Sequence, residues 1–140
     1  MPRKPLFQGL LFNEQGQPLG IATVGDEPFY TVPDDGFLRH VEARAIDLQI
    51  IRRMRDLMLP YREVVSQQIL QMLGKDDLFA KVMVDSALQN MDQQVDLMQE
   101  HGMPEETRAW LGMMGFRGTV NLHGEVVDLN LPAREAPEDE

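Results

Sequence analysis

Histidine is the side chain best placed to move a proton near neutral pH, and this sequence holds three: His40, His101 and His123. His40-Val41-Glu42 sets a base two residues before an acid. Read on a helix, that spacing points the two groups in different directions. It matches half of the zinc-deaminase pattern, but the cysteine pair that completes such a site is missing, because the chain has no cysteine. No His-Glu-x-x-His stands anywhere in it. His101 falls in the last turn of an expected helix, where its charged form suits the negative end. His123 falls in an expected turn. His40, Glu42 and His123 are therefore the acid–base candidates, for a pocket between sheet and helices.

Asp92, Asp96 and Glu100 follow at four-residue steps, with Asp85 one heptad earlier, so they share a helix face. Di-iron carboxylate bundles need a Glu-x-x-His pair, and no Glu stands three residues before any histidine. The stripe reads as a solvated acidic face. Nucleophiles are scarce: Ser66 and Ser86 are the sole serines, and neither lies in a Gly-x-Ser-x-Gly elbow. Asp34-Asp35-Gly36 lacks the rest of a calcium loop. Gly16, Gly20 and Gly25 punctuate turns without forming a phosphate loop. The sequence thus assigns no catalytic residue, no metal ligand and no cofactor.

Association leaves a clearer trace. Val84, Leu88, Met91, Val95 and Met98 are spaced four, three, four, three, a heptad seam of about two heptads. Polar residues surround it, so the apolar stripe is narrow. These five residues are the candidate interface between subunits, and an internal helix pair is the competing reading. Ten methionines, most of them in helical stretches, suit either adaptable binding surfaces or ordinary core filling. Met113-Met114, between Gly112 and Gly115, sits near a chain reversal.

The formal charge of −10 on 140 residues argues against nucleic acid as a partner, since non-specific affinity for phosphate backbones comes from basic charge. The local exception, Arg52-Arg53-Arg55, reads as a helix face partly paired with Asp47 and Asp56. No apolar run approaches the length of a membrane span, and Met1 to Leu6 lacks the apolar core of a signal peptide. The expected location is cytoplasmic.

The elements that must position these residues can be read from period and punctuation. Residues 6–12, 19–24 and 29–32 predict short strands, the first two as a hairpin. Val41, Ala45, Leu48, Ile51 and Met54 predict a helix over 38–59, ended by Pro60. Further helices are predicted over 61–73, stopped by Gly74, over 77–101, capped by Asp76 or Asp77, and from Pro104 to Gly115. Residues 117–122 and 127–131 predict a second hairpin around a two-residue His123-Gly124 turn.

Two isolated hairpins are marginal in water. The predicted fold is therefore α+β, with one antiparallel sheet built from the N- and C-terminal hairpins and about four central helices on one face. Residues 1–132 form a single domain, and 133–140 form an acidic tail expected to be disordered. The sequence favours a non-enzymatic association module, most simply a homodimer, using the helix around 77–101. The alternative is a ligand-binding protein or enzyme working through His40, Glu42 and His123.

Overall fold

β-Branched and aromatic residues gather between Gly20 and Glu42. In a computed structural model, which describes residues 3–74 and 78–131, they form a three-stranded antiparallel meander. Its strands are β1 (Gly20–Val24), β2 (Glu27–Asp34) and β3 (Phe37–Glu42). A second sheet joins the two ends of the chain. There β0, a two-residue strand (Leu11–Phe12), runs parallel to β4 (Arg117–Val120), which pairs antiparallel with β5 (Val126–Asn130).

The α+β class is as the sequence predicts, but the strands divide between two sheets. The amides of Leu6 and Phe7 donate to Asp47 Oδ2 and Tyr30 Oη, so residues 6–10 do not extend into a strand. Pro18, which bridges Phe12, has no N–H and cannot carry a ladder further. Leu11 and Phe12 pair with β4 instead. Gly118 makes this close approach possible, since a Cβ there would stand 2.7 Å from Leu11 Cδ2.

The first helix, α1, spans Ala43–Met58. Residues 38–42, predicted as its start, belong to β3 up to Glu42 (φ −55°, ψ 128°). The inward stripe therefore runs through Ala43, Ile46, Ile50 and Ile51 rather than through Ala45, which is exposed. Pro60 lies in a single 3-10 turn, Leu59–Tyr61, leading into α2 (Arg62–Leu73). Gly74 takes the left-handed stop at φ 72°. The capping role read for Asp76 and Asp77 lies outside the described residues, as does the 133–140 tail.

The predicted helix over 77–101 is two helices. α3 (Leu78–Gln89) ends at Asn90, a 3-10 turn follows over Met91–Gln94, and α4 runs Val95–His101. Asn90 Nδ2 donates to Ser86 O at 2.9 Å, an acceptor it shares with the Asn90 amide. α5 covers Glu105–Met113, with Pro104 just before it rather than in its first turn. The last hairpin turn is wider than two residues: Asn121 Oδ1 accepts from the amides of His123 and Glu125.

One buried cluster unites both sheets, α1 and α4. It includes Phe7, Leu11, Tyr30, Val32, Ile46, Ile50, Val95, Phe116 and Val120. Phe7 and Phe116 stack at 5.3 Å. Leu70 of α2 is buried but belongs to no part of this cluster. Among the described residues no helix is long and apolar enough to cross a membrane.

Candidate functional site

α2 and α3 form a helical arm, because each finds its main partner in the other. Their facing sides carry the arm's own small core. Ser66 and Leu70 are buried on α2, with Val65 and Ile69 half-buried beside them. Ala80, Val84 and Leu88 are half-buried on α3, at the four-residue steps that define one helix face. Two polar side chains of α3, Lys81 and Asp85, bond across to α2. The Ser66 hydroxyl donates to Asp85, and Lys81 Nζ reaches Glu63 Oε2 at 2.8 Å and Asp85 Oδ2 at 3.7 Å. The Glu63 bond, with the Asp85 carboxylate adding to it, holds the Lys81 ammonium above its ordinary pKa.

The outer side of α3 is largely apolar, and α2 adds exposed apolar residues among Arg62, Glu63, Gln67, Gln68 and Gln71. Leu78, Phe79, Val82 and Met83 of α3 are 76%, 74%, 56% and 57% exposed. Tyr61, Val64, Met72 and Leu73 are exposed on and beside α2. Eight of the twelve residues of α3 are apolar, with Lys81, Asp85 and Gln89 in one polar row, yet none of its residues is buried in the single chain. Nothing in the local sequence signals this as a surface. The apolar residues around the seam are too many for a narrow stripe, and that excess is the available clue.

The heptad residues fall in two places. Val84 and Leu88 lie on the α2-facing side of α3, half-buried. Met91 and Met98 pack against the main core, and Val95 is 1% exposed within it. The break at Asn90 separates the first two from the last three.

His40 and Glu42 stand on β3, not on a helix, so their spacing of two puts them on one face. Both are exposed, and His40 meets the Phe29 ring edge-on at 6.1 Å. The turn holding His123 packs against the same strand: a Cβ on Gly124 would lie 2.7 Å from Val41 Cγ1. Val41 points to the opposite face of the strand from His40 and Glu42, so the structure does not bring His123 to their side of the sheet. Neither the apolar cleft beside α1 and α4 nor the mixed cleft at the tip of the meander is lined by them. Among the described residues no cluster of three or more histidine and acidic side chains could hold a metal ion.

Of the acidic stripe, Asp92 and Asp96 are arginine partners, Asp85 meets Lys81, and Glu100 is exposed. Asp92 receives Arg52 at 3.1 Å and Arg55 at 2.9 Å, and Asp96 receives Arg44 at 2.7 Å and Arg3 at 3.1 Å. The Arg52 bond to Asp92, with Arg55 adding to it, and the Arg44 bond to Asp96, with Arg3, hold both carboxyls below the usual range. Arg53 donates instead to Val126 O.

Asp47, read from the sequence as an arginine partner, is fully buried. Its Oδ1 accepts from Tyr30 Oη at 2.6 Å, and its Oδ2 accepts from Leu6 N at 2.9 Å and Gln99 Nε2 at 2.8 Å. Burial pushes its carboxyl up to about 6 against the lowering effect of these bonds. This network ties the N-terminal segment to α1, α4 and β2. No path to solvent is needed for that role, and the arrangement is a structural clamp.

No protein-family model matches the chain, nor does any curated protein or solved structure.

Proposed function

We propose that the protein is a homodimeric association module that works through the α2–α3 arm. The observation that carries this reading is α3 itself: a helix with eight apolar residues of twelve, four of the large ones exposed, and no buried residue. Burying a large apolar side chain is worth about 1.5–3 kcal/mol, and a monomer forgoes that at each of Leu78, Phe79, Val82 and Met83. A second copy is the proposed occupant, and because like net charges repel, the contact must fall on a surface that carries little of that charge. Each chain carries −10, so two copies approach best through a neutral surface. α3 is one, its Lys81 balanced by Asp85. Membrane-surface helices are instead rich in basic residues on their polar face. Cyclic dimers are also the commonest soluble oligomers. Met72 and Met83 add adaptable packing. A cytoplasmic location goes with this reading.

The test is the double substitution Phe79→Glu with Met83→Glu, measured by size exclusion with light scattering and by circular dichroism. Both side chains are more than half exposed in the single chain, so the fold tolerates the change. The expected result is loss of the dimer with helix content retained. A variant whose mass equals that of the parent would remove the arm from the contact.

A further inference from the structure

The molecule holds an apolar hole as well as an apolar knob. A cleft of about 410 Å³ opens between the N-terminal segment, α1 and α4. Phe7, Met54, Met91, Leu97, Met98 and Met103 contribute to its wall. Four of these six are methionine, the side chain that best remoulds around a guest. Leu97, on the wall, is 50% exposed. At the far end of the arm, Leu78 and Phe79 are about three-quarters exposed.

A chain's own tip cannot fill its own cleft. α3 has 12 residues, which is about 18 Å of helix. The tip at Leu78 therefore stands that far from the base at Asn90, and Met91 at the base belongs to the cleft. Two-fold pairing removes the obstacle. When two α3 helices lie antiparallel, the tip of one comes beside the base of the other, and the helix length equals the tip-to-cleft offset. Area points the same way. Two helices this short, side by side, cover only part of the roughly 800 Å² per partner that a stable dimer buries. Two knob-in-hole contacts, one at each end, supply more.

We propose that the Met-lined cleft receives the arm tip, Leu78 and Phe79, of a second copy, so that each subunit completes the other's cleft. This rests on the homodimer reading above and adds its register. Such a contact is isologous, with tip meeting cleft twice about one axis. Phe79 is then the anchor side chain, and Phe79→Ala, which removes the ring at both contacts, weakens the dimer about a thousand-fold.

The test exploits the absence of native cysteine. One preparation carries Phe79→Cys and another carries Leu97→Cys. Each is first shown to be a dimer by light scattering, then treated with a short bis-maleimide alone and after subunit mixing. Leu78→Cys replaces the first variant if that one no longer dimerises. The expected result is a covalent dimer from the mixture and none from either preparation alone. Cross-linking of the Phe79→Cys preparation by itself would put the two tips together and overturn the antiparallel register. Dimers that cross-link in neither setting would also overturn it while leaving the arm interface standing. A monomeric parent chain would instead overturn the homodimer reading itself.

Discussion

Tyr30 Oη lies 2.6 Å from Asp47 Oδ1 and donates to it, while accepting the Phe7 amide at 3.0 Å. One phenol thus links the N-terminal segment to the middle of α1 through a buried carboxylate. Removing that hydroxyl by Tyr30→Phe leaves the Phe7 amide without its acceptor and takes one donor from Asp47. A buried polar group left unpaired costs about 1–3 kcal/mol. The predicted loss is about 2 kcal/mol, read as a lower urea midpoint with an unchanged m-value. An unaltered midpoint would show that the clamp contributes nothing to stability.

Asp47 also sets a pH dependence with an unusual sign. Its carboxyl is raised from 3.8 to about 6 in the folded chain, chiefly by burial. Between these values the folded state binds a proton that the unfolded state does not. Stability from this group therefore rises as pH falls from about 6 to about 4, by on the order of 2–3 kcal/mol. Asp92 and Asp96 act oppositely. Their carboxyls are held low by Arg52 and Arg44, so their contribution is present above the ordinary carboxylate range and is lost as pH falls below it. Urea midpoints across pH 4–7 should rise toward acid before falling, and Asp47→Asn should abolish the rise. A rise of the same size in that variant would assign the effect elsewhere.

Gly124 carries two constraints at once. Its φ is +81°, and an added Cβ would sit 2.7 Å from Val41 Cγ1. Gly16 has a similar φ of +84° with no heavy atom nearer than 4.0 Å. Gly16→Ala therefore meets conformational strain alone, about 1 kcal/mol, while Gly124→Ala adds a steric clash and should cost about 2–3 kcal/mol. Thermal melts of the two variants would separate the contributions. Equal losses would mean that Val41 moves aside freely.

Salt gives a further sign prediction. The proposed contact is apolar, and each copy carries a formal charge of −10. Screening shortens the reach of that repulsion from about 10 Å at 0.1 M to about 3 Å at 1 M. The dimer should tighten as sodium chloride rises, as followed by sedimentation. Weakening by salt would point to ion pairs across the interface.

Much of the punctuation was legible in the residues. Gly74 and Gly102 end helices with positive φ, as their composition implies. Two boundaries were not. Phe37 to Ala43 passes from strand to helix without a glycine, a proline or a side-chain cap, so periodicity alone ran the helix back to residue 38 and shifted its buried face. The next long helix breaks after Asn90, whose own amide still bonds Ser86 O while Gln93 N turns to Asn90 O, a local change no heptad count registers. The parallel pairing of Leu11 with Gly118 depends on residues far apart in the chain. Asp47 could have been found: once the helix starts at Ala43, it falls four residues on, between Ile46 and Ile50 on the buried side. The apolar excess of Leu78 to Val84 was visible, but the side of α3 turned toward α2 follows only from the fold.

The most direct test of the association reading is the absolute mass of the unmodified chain across a dilution series, by light scattering and sedimentation. The account predicts about twice the chain mass of 16.0 kDa, persisting to low micromolar concentration. A mass of one chain at every concentration would contradict it, leaving α3 exposed in solution as it is in the single chain.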